Sequence, residues 1–365
     1  MKNVHLIAAA RPNFMKVAPL YHALVASGWA RPSIVHTGQH YDYNMSDAFF
    51  RDLKLPEPTH HLGVGSGTHA EQTGRVMIAY EGVCMDARPD CVVVVGDVNS
   101  TVACALVAAK LHIPCVHLEA GLRSGDRSMP EEINRLATDA ICDLLWTPSI
   151  DGNEHLQASG INAERVELVG NIMIDSFEML REQIEADQTR HALGLDSASY
   201  GLVTLHRPSN VDAAETLSEI VTTLVTVSET LPLVMVAHPR TLASLERHDL
   251  REQLIASNGV TLLEPLPYIR FMNVVMGARV VITDSGGLQE ETTYLGIPCL
   301  TMRPNTERPT TITEGTNKLV TPASLGADVT AVLSENHQDR RQPPRFWDGR
   351  TAGRATESLR RFLEA

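Results

Sequence analysis

The stretch "CVVVVGDVNSTVACALVAAKLHIPCVHLE", residues 91–119, decides the fold. A β-branched run is followed by a helix-like segment of small and apolar residues and then by a second short apolar run. This is the pattern of two parallel strands joined by a helix. Similar runs alternate with longer amphipathic segments at residues 3–9, 33–38, 144–148, 200–206, 232–238, 259–265, 279–285 and 298–302. The sequence therefore predicts an α/β protein of two doubly wound, Rossmann-like domains, with ligands beyond the carboxyl ends of the strands and a central cleft between the sheets.

The length of the chain supports a division into two domains. A chain of 365 residues is longer than one hydrophobic core usually supports. A strand-like run followed by a Gly-Asn pair in "VELVGNIMIDS", residues 166–176, marks a boundary. We therefore predict an N-terminal domain over residues 1–169, a C-terminal domain over residues 170–349 and a final helix over residues 350–365.

Charge and composition exclude several classes of function. The formal charge of -13, from 44 acidic and 31 basic side chains, opposes general binding to nucleic acid or to an anionic membrane. No apolar run approaches the about 18 residues of a membrane span, and Arg11 and Pro12 interrupt the N-terminal apolar stretch too early for a signal peptide. The six cysteines form no CxxC pair and the histidines show no metal-ligand spacing. We expect a cytoplasmic protein with reduced core thiols and no bound metal.

Two carboxylates end neighbouring strands of the predicted first sheet. Asp97 follows "VVVVG" and Glu119 follows "IPCVHL", so both belong at the edge where ligands of such sheets bind. A carboxylate there can act as a general acid or base. From position alone, a structural interpretation is supported as well as a catalytic one. In it, Asp97 caps the helix that begins near Asn99, and Glu119 pairs with Arg123.

A third carboxylate stands at a helix start. Ser128 and Pro130 in "SMPEEINR" indicate a helix N-terminus, which places Glu131 in the first turn, four residues before Arg135. The structural interpretation here is complementation of the helix dipole and an exposed ion pair between Glu131 and Arg135.

Candidate phosphate-binding residues lie in both halves of the chain. Arg11 and Lys16 follow the first strand and can hold a diphosphate at a helix N-terminus, unless they are ordinary surface bases. His206 ends a strand and can donate a proton or a hydrogen bond to phosphate, although a lone histidine is more often structural.

A glycine pair in the second half has the form of a phosphate-binding turn. In "TDSGGLQEE", residues 283–291, Ser285, Gly286 and Gly287 open a helix after a strand. Glycines let backbone amides approach phosphate oxygens closely. A plain tight turn between a strand and a helix is the alternative.

A series of ordered motifs resembles those of the non-hydrolysing UDP-N-acetylglucosamine 2-epimerases across nearly the whole chain. The motifs are "ARPNFMKVAPL", "HTGQHYDYNM", "VVVGDVNSTVACALVAAKL", "HLEAGLRS" with "PEEINR", "TLHRPSNVD", "AHPRT", "TDSGGLQEE" and "RPNTERPTT". The resemblance implies the glycosyltransferase-B architecture, with a UDP-sugar between the domains and a last helix that packs back on the N-terminal domain. It also implies a cytoplasmic homodimer that serves polysaccharide biosynthesis.

The family reaction inverts C2 of the N-acetylhexosamine without a cofactor. The resemblance implies anti elimination of UDP to a 2-acetamidoglucal and syn re-addition with protonation from the other face, which yields UDP-N-acetylmannosamine. The catalytic residues carried over by matching position are Asp97, Glu119, Glu131 and His206. The substrate-binding residues carried over in the same way are Arg11, Lys16, Arg135, Ser285, Gly286, Gly287, Glu291 (for the ribose) and Arg308.

The motifs depart from the common family pattern at two places. Many members read GTRPE where this chain has Ala9 to Asn13, and HRREN where it has "HRPSN". Because the variants keep the basic residues Arg11, His206 and Arg207, they do not put the reaction in doubt, but they leave the identity of the sugar open. A 2-epimerase of a modified UDP-sugar, such as a 2,3-diacetamido uronic acid, and a UDP-sugar transferase of the same fold are the alternatives.

Overall fold

The computed structural model describes residues 1–9, 11–38, 51–196, 199–334 and 342–364. The chain divides into two compact units, which we call unit 1 (Met1–Leu180 with Arg345–Ala365) and unit 2 (Arg181–Pro344). Most of the motif "HTGQHYDYNM" lies outside the described residues. Among the described residues, no helix combines the length and the apolar character needed to cross a bilayer.

Unit 1 is built on a sheet of seven parallel strands in the order β3-β2-β1-β4-β5-β6-β7. The strands are β1 (Lys2–Ala8), β2 (Ala30–His36), β3 (His60–His61), β4 (Cys91–Val95), β5 (Cys115–Leu118), β6 (Leu144–Thr147) and β7 (Val166–Leu168). The helices are α1 (Arg11–Ser27), α2 (His69–Asp86), α3 (Asn99–Lys110), α4 (Pro130–Ile141), α5 (Ile150–Ala158) and α6 (Ile172–Ala186), the last of which continues into unit 2. Strands β4 and β5 are buried at every residue, as expected for central parallel strands covered on both faces.

Unit 2 repeats the design with six parallel strands in the order β10-β9-β8-β11-β12-β13. The strands are β8 (Gly201–Thr204), β9 (Leu233–Val236), β10 (Val260–Leu263), β11 (Val280–Thr283), β12 (Cys299–Thr301) and β13 (Asn317–Leu319). The helices are α7 (Thr189–Ala192), α8 (Pro208–Val211), α9 (Ala214–Ser228), α10 (Pro239–Arg247), α11 (Arg251–Ile255), α12 (Tyr268–Gly277), α13 (Gly286–Leu295), α14 (Thr310–Thr313) and α15 (Pro322–Ser334). Counted from β8, the order is that of a Rossmann sheet, so the predicted fold class of two doubly wound α/β halves is confirmed.

The last helix, α16 (Thr351–Glu364), belongs to unit 1 and packs against α1. Its first turn is capped from a distance, because Asp175 accepts hydrogen bonds from the backbone N–H groups of Thr351 (3.1 Å) and Ala352 (2.7 Å). Further along the helix, the Ser358 hydroxyl accepts a hydrogen bond from the indole of Trp146 (2.9 Å). A carboxylate at a helix N-terminus satisfies free backbone donors and complements the helix dipole.

The division between the units lies after Leu180, further along the chain than the boundary at residue 169 that the sequence suggested. The reason is the packing of the first turns of α6. Ile174 and Phe177 are buried, and the Ser176 hydroxyl donates to the backbone oxygen of Met15. These contacts keep the start of α6 in unit 1.

Candidate active site

Asp97 and Glu119 follow adjacent strands of unit 1, β4 and β5, whose register pairs Val95 with Leu118. The Asp97 carboxylate is about one-third exposed and accepts a hydrogen bond from Arg135 at 2.5 Å. It does not cap α3, whose N-cap is Val98 without a side-chain bond. The capping interpretation of Asp97 is therefore wrong, and the carboxylate stays at the sheet edge.

Glu119 is held in a strained and buried position. Its backbone has a φ of 72°, in the left-handed region that costs a side-chain-bearing residue about 1–2 kcal/mol. Its side chain is only 3% exposed and forms an ion pair with Lys16 through Oε2. The other oxygen, Oε1, is buried and receives no hydrogen bond from any described residue. An unsatisfied buried acceptor costs about 1–3 kcal/mol, so Oε1 is ready to accept a proton or a hydroxyl hydrogen from a ligand.

The ion pairs around α4 differ from those that the spacing suggested. Arg135 bridges Glu132 (2.8 Å) and Asp97, and Glu132 also accepts hydrogen bonds from the backbone of Ser124 at 2.9 Å. Burial would raise the pKa of Glu132, but these hydrogen bonds lower it. Glu131 is half-buried and forms no ion pair within the described part of the chain. The predicted pair of Glu131 and Arg135 is therefore wrong, which leaves Glu131 available for a ligand.

A turn with no room for a side chain follows Glu119. Gly121 has a φ of 81°, and a Cβ built on it would lie 2.8 Å from the backbone carbon and Cα of Gly152. Its N–H donates to Asp139 (3.2 Å) and its carbonyl oxygen bonds to the ring of His155 (2.9 Å). The turn is thus fixed by backbone contact on one side and by hydrogen bonds on both ends.

The predicted pair of Glu119 and Arg123 does not form. Arg123 instead donates to Asp139 at 2.6 Å, and Asp139 also contacts the buried ring of His117 at 2.7 Å. Sequence reasoning missed His117 and Asp139. His117 lies inside the apolar run of β5, where it reads as one more core residue, and Asp139 lies on α4 twenty-two positions away in the chain.

In unit 2, His206 follows β8 and is held by Asp284, which follows the neighbouring strand β11. The ring Nδ1 lies 2.7 Å from Asp284 Oδ1, and the same carboxylate accepts the backbone N–H groups of His206 and Arg207. Asp284 is fully buried. Burial would raise its pKa, but the hydrogen bond from His206 and the others lower it. The His206 side chain is 40% exposed, so the ring has one nitrogen oriented by a carboxylate while the side chain remains accessible.

The Ser-Gly-Gly turn that the sequence suggested as a phosphate site forms the start of α13. Ser285 is the N-cap residue, and its side chain does not cap the helix. A Cβ on Gly286 would meet Glu307 at 2.8 Å and Arg308 at 3.0 Å, whereas a Cβ on Gly287 would meet nothing within 4 Å. The open backbone at Gly287 lies at a helix start, where the first N–H groups have no partner within the helix and can bind an anion.

Charged residues of both signs line this helix. Arg308 contacts Glu290 at 2.8 Å and Glu307 at 2.7 Å. Burial would raise the pKa of Glu307, but the two neighbouring arginines, Arg308 and Arg303, hold it well below its usual range. Arg308, a predicted ligand, therefore lies beside the helix start and is already paired with two carboxylates.

Glu291 is buried on the same helix and accepts a hydrogen bond from the Tyr268 hydroxyl at 2.7 Å. Burial raises the pKa of Glu291 to about 7, and neighbouring Glu290 adds to the rise while the bond from Tyr268 opposes it. The carboxyl group therefore changes its charge close to neutral pH. Of the remaining predicted residues, Arg11 is the first residue of α1, and its side chain lies outside the description.

Comparisons with known proteins identify the family of the chain. The family profile of UDP-N-acetylglucosamine 2-epimerase matches residues 22–360. The UDP-N-acetylglucosamine 2-epimerase of Methanocaldococcus jannaschii is 41% identical over 323 residues, 86% of this chain and 87% of that protein. The UDP-2,3-diacetamido-2,3-dideoxy-D-glucuronate 2-epimerase of Pseudomonas aeruginosa is 39% identical over 318 residues, with the same coverage of 86% and 87%.

A solved structure extends the similarity to nearly the full length of the chain. The crystal structure of the Methanocaldococcus jannaschii UDP-GlcNAc 2-epimerase in complex with UDP-GlcNAc and UDP matches with a TM-score of 0.88 and 38% identity. The match covers 98% of this chain and 99% of that one. The motif-based resemblance is confirmed, and this chain belongs to the UDP-N-acetylglucosamine 2-epimerase family.

Proposed function

We propose that this protein interconverts UDP-N-acetylglucosamine and UDP-N-acetylmannosamine by epimerisation at C2. The observation that carries the proposal is the buried Oε1 atom of Glu119, which has no hydrogen-bond donor within the described chain. It lies at a strand end, where ligands of parallel sheets bind. The membership of the chain in an epimerase family gives this atom a chemical task.

The chemistry explains why several carboxylates are needed. The C2 proton of the sugar is not acidified by a carbonyl group, so it can leave only as the C1–O bond breaks. A carboxylate takes the proton, the electrons of the C2–H bond form the C1–C2 double bond, and the C1–O electron pair leaves with UDP. The 2-acetamidoglucal then receives a proton at C2 from the opposite face while UDP returns to C1. Removal and delivery on opposite faces require two separate proton-transfer groups.

We assign the proton transfers to Asp97, Glu119 and Glu131. Positioned acid–base groups contribute about 10²- to 10⁴-fold in rate, so stabilisation of the departing diphosphate must supply much of the remainder. We assign that task to His206, oriented by Asp284, together with the bases and the glycine turn. The residues proposed to bind the substrate are Arg11, Lys16, Arg135, Ser285, Gly286, Gly287, Glu291 and Arg308.

Isotope exchange tests the proposal directly. Incubation with UDP-N-acetylglucosamine in D₂O should place deuterium at C2 of both epimers, as read by NMR. Glu119→Gln keeps the shape of the side chain and should abolish exchange. Asp126→Asn is the matched control, because the Asp126 carboxylate hydrogen-bonds to Ser128 in an exposed turn, and this variant should exchange at the wild-type rate. Recovery of unlabelled sugar from the wild-type protein would refute the mechanism.

A second candidate keeps the reaction and changes the sugar. The relative named for UDP-2,3-diacetamido-2,3-dideoxy-D-glucuronate is nearly as similar to this chain as the first relative, at 39% against 41% identity. A panel of UDP-sugars followed by NMR in D₂O separates the two, because only a substrate gains deuterium at C2. A UDP-sugar transferase would instead leave C2 unexchanged with every sugar.

We further propose that the protein acts as a cytoplasmic homodimer in polysaccharide biosynthesis. Helix α2 exposes Ile78 (76%) and Met85 (71%), and two large apolar side chains seven residues apart form one stripe of a helix that is suited to pack against a second copy. Light scattering coupled to size-exclusion chromatography tests the homodimer. Ile78→Lys should shift the mass to that of a monomer.

A further inference from the structure

A buried histidine beneath the candidate carboxylates has a hydrogen bond at each ring nitrogen. His117 lies in β5 and is fully buried. Its Nδ1 is 2.7 Å from Asp139 Oδ1, and its Nε2 is 2.8 Å from the backbone oxygen of Gly96. Gly96 is the residue before Asp97, and His117 lies two residues before Glu119.

The partners determine the number of protons on the ring. A backbone carbonyl oxygen can only accept, so Nε2 must carry a hydrogen. Asp139 accepts two other hydrogen bonds at Oδ2, from Arg123 (2.6 Å) and from the N–H of Gly121 (3.2 Å). Burial would raise the pKa of Asp139, but the bond to His117 and the contacts with Arg123 lower it. Asp139 is therefore a carboxylate, and Nδ1 must donate to it.

We propose that His117 is a positioning residue that remains an imidazolium cation and ties the residue before Asp97 to the turn after Glu119. The inference rests on the proposed function, because it gives His117 the task of placing two of the proposed catalytic carboxylates. The ring holds the Gly96 carbonyl oxygen, while the N–H of Gly96 donates to Leu118 (3.1 Å). Both the N–H and the C=O of Gly96 are thus hydrogen-bonded to β5.

The charged surroundings of His117 suit a cation. Asp139 supplies one negative charge from α4, and Arg123 from the turn shares that carboxylate. Burial raises the pKa of Cys142 at the end of α4, so its thiol is neutral. Two other titratable groups lie next to this network, and both bond to backbone oxygens. Arg165 donates to the backbone oxygens of Asp139 and Cys142, and the ring of His155 bonds to that of Gly121. The ion pair of His117 and Asp139 is therefore fully hydrogen-bonded, which a buried pair requires.

Nitrogen NMR of the full chain labelled with ¹⁵N-histidine tests the charge. In an imidazolium the two ring nitrogens have similar shifts, whereas in a neutral ring one is pyrrole-like and the other pyridine-like. Because both ring nitrogens face acceptors, His117 should show the imidazolium pattern at neutral pH. His5 provides the internal reference for a neutral ring, because burial and neighbouring His60 lower its pKa to about 4. A neutral pattern for His117 would overturn the inference.

Two variants test the positioning role. Gln carries its amide nitrogen near the position of Nε2 and Asn near that of Nδ1, so His117→Gln keeps the bond to Gly96 and His117→Asn keeps the bond to Asp139. His117→Asn loses the bond from the cationic ring to the Gly96 carbonyl oxygen beside Asp97, and losing a hydrogen bond from a charged donor corresponds to about a 10- to 100-fold change. We expect His117→Asn to lower kcat by that factor with KM within about threefold, and His117→Gln to lower it less.

The outcomes separate this inference from the proposed function. Thermal unfolding first shows whether each variant folds. If neither variant folds, the NMR measurement on the wild-type chain alone decides whether the inference holds. Folded variants that both keep kcat within about twofold of the wild type would refute the positioning role. Absence of C2 exchange in the wild-type protein would refute the proposed function and with it the catalytic task of His117, whereas a neutral ring in the NMR measurement, which needs no substrate, would refute the inference alone.

Discussion

Replacing Gly121 by alanine tests whether the turn after Glu119 is as tight as the structure indicates. The new Cβ would lie 2.8 Å from the backbone carbon and Cα of Gly152, and backbone atoms cannot move aside as the end of a flexible side chain can. The φ of 81° adds the cost of a left-handed alanine, about 1–2 kcal/mol. Overpacking adds about 1–3 kcal/mol, so Gly121→Ala should destabilise unit 1 by about 2–5 kcal/mol.

Gly125→Ala is the matched control for this substitution. Gly125 has a similar φ of 72°, but a Cβ built on it would meet nothing within 4 Å. This variant therefore carries only the conformational cost of about 1–2 kcal/mol. The difference between the two variants isolates the clash with Gly152.

Tryptophan fluorescence during urea unfolding measures the effect in the right unit. The three tryptophans of the chain, Trp29, Trp146 and Trp347, all lie in unit 1, so their signal reports the unfolding of that unit within the full chain. The midpoint for Gly121→Ala should lie clearly below that for Gly125→Ala, with similar slopes. Equal midpoints would refute the close approach of the two backbones.

Three further predictions concern titration and charge. Burial, with a smaller effect of neighbouring histidines, lowers the pKa of His5 and His36 to about 4. Between about pH 6.5 and 4, both rings are thus neutral in the folded chain and protonated in the unfolded chain. Unit 1 should therefore lose stability as the pH falls through that window, and the dependence of its unfolding free energy on pH should be weaker in His5→Asn. Burial raises the pKa of Glu291 to about 7, and only the ionised form of this proposed ribose ligand accepts at both oxygens, so UDP affinity should fall by up to about tenfold per pH unit below pH 7; calorimetry should show no such contribution in Glu291→Gln. Asp284→Asn removes the charge that orients His206 and should lower kcat by about 10- to 100-fold with KM nearly unchanged; an unchanged kcat would exclude an orienting role.

Apolar patterning was sufficient to predict the sheets, and it failed at two of their four edge strands. Central strands such as Cys91–Val95 are covered on both faces and appear in the sequence as continuous apolar runs. The edge strands His60–His61 and Asn317–Leu319 are short and carry polar residues, so no pattern marks them. They form because a neighbouring strand offers free hydrogen-bonding groups.

The candidate site was predictable in its positions and unpredictable in its pairings. Asp97 and Glu119 were found because strand ends of parallel sheets meet at one edge. Their partners come from other helices, as shown by Lys16, which lies 103 positions before Glu119 in the chain. Near a helix start, spacing also could not decide that Glu132, rather than Glu131, pairs with Arg135.

The capping of the last helix by Asp175 has a consequence for the order of folding. Residues 181–344 are synthesised between Asp175 and the backbone N–H groups that it binds. During translation, the bonds from Thr351 and Ala352 to the Asp175 carboxylate and from the Trp146 indole N–H to Ser358 therefore cannot form until residues 351–358 leave the ribosome. Unit 2 is a continuous segment, so all of its residues have been synthesised before the last helix of unit 1. Unit 1, although most of it is synthesised first, is thus the last unit to finish folding. A nascent chain that stops before Thr351 would expose to chaperones the face of unit 1 that the last helix covers.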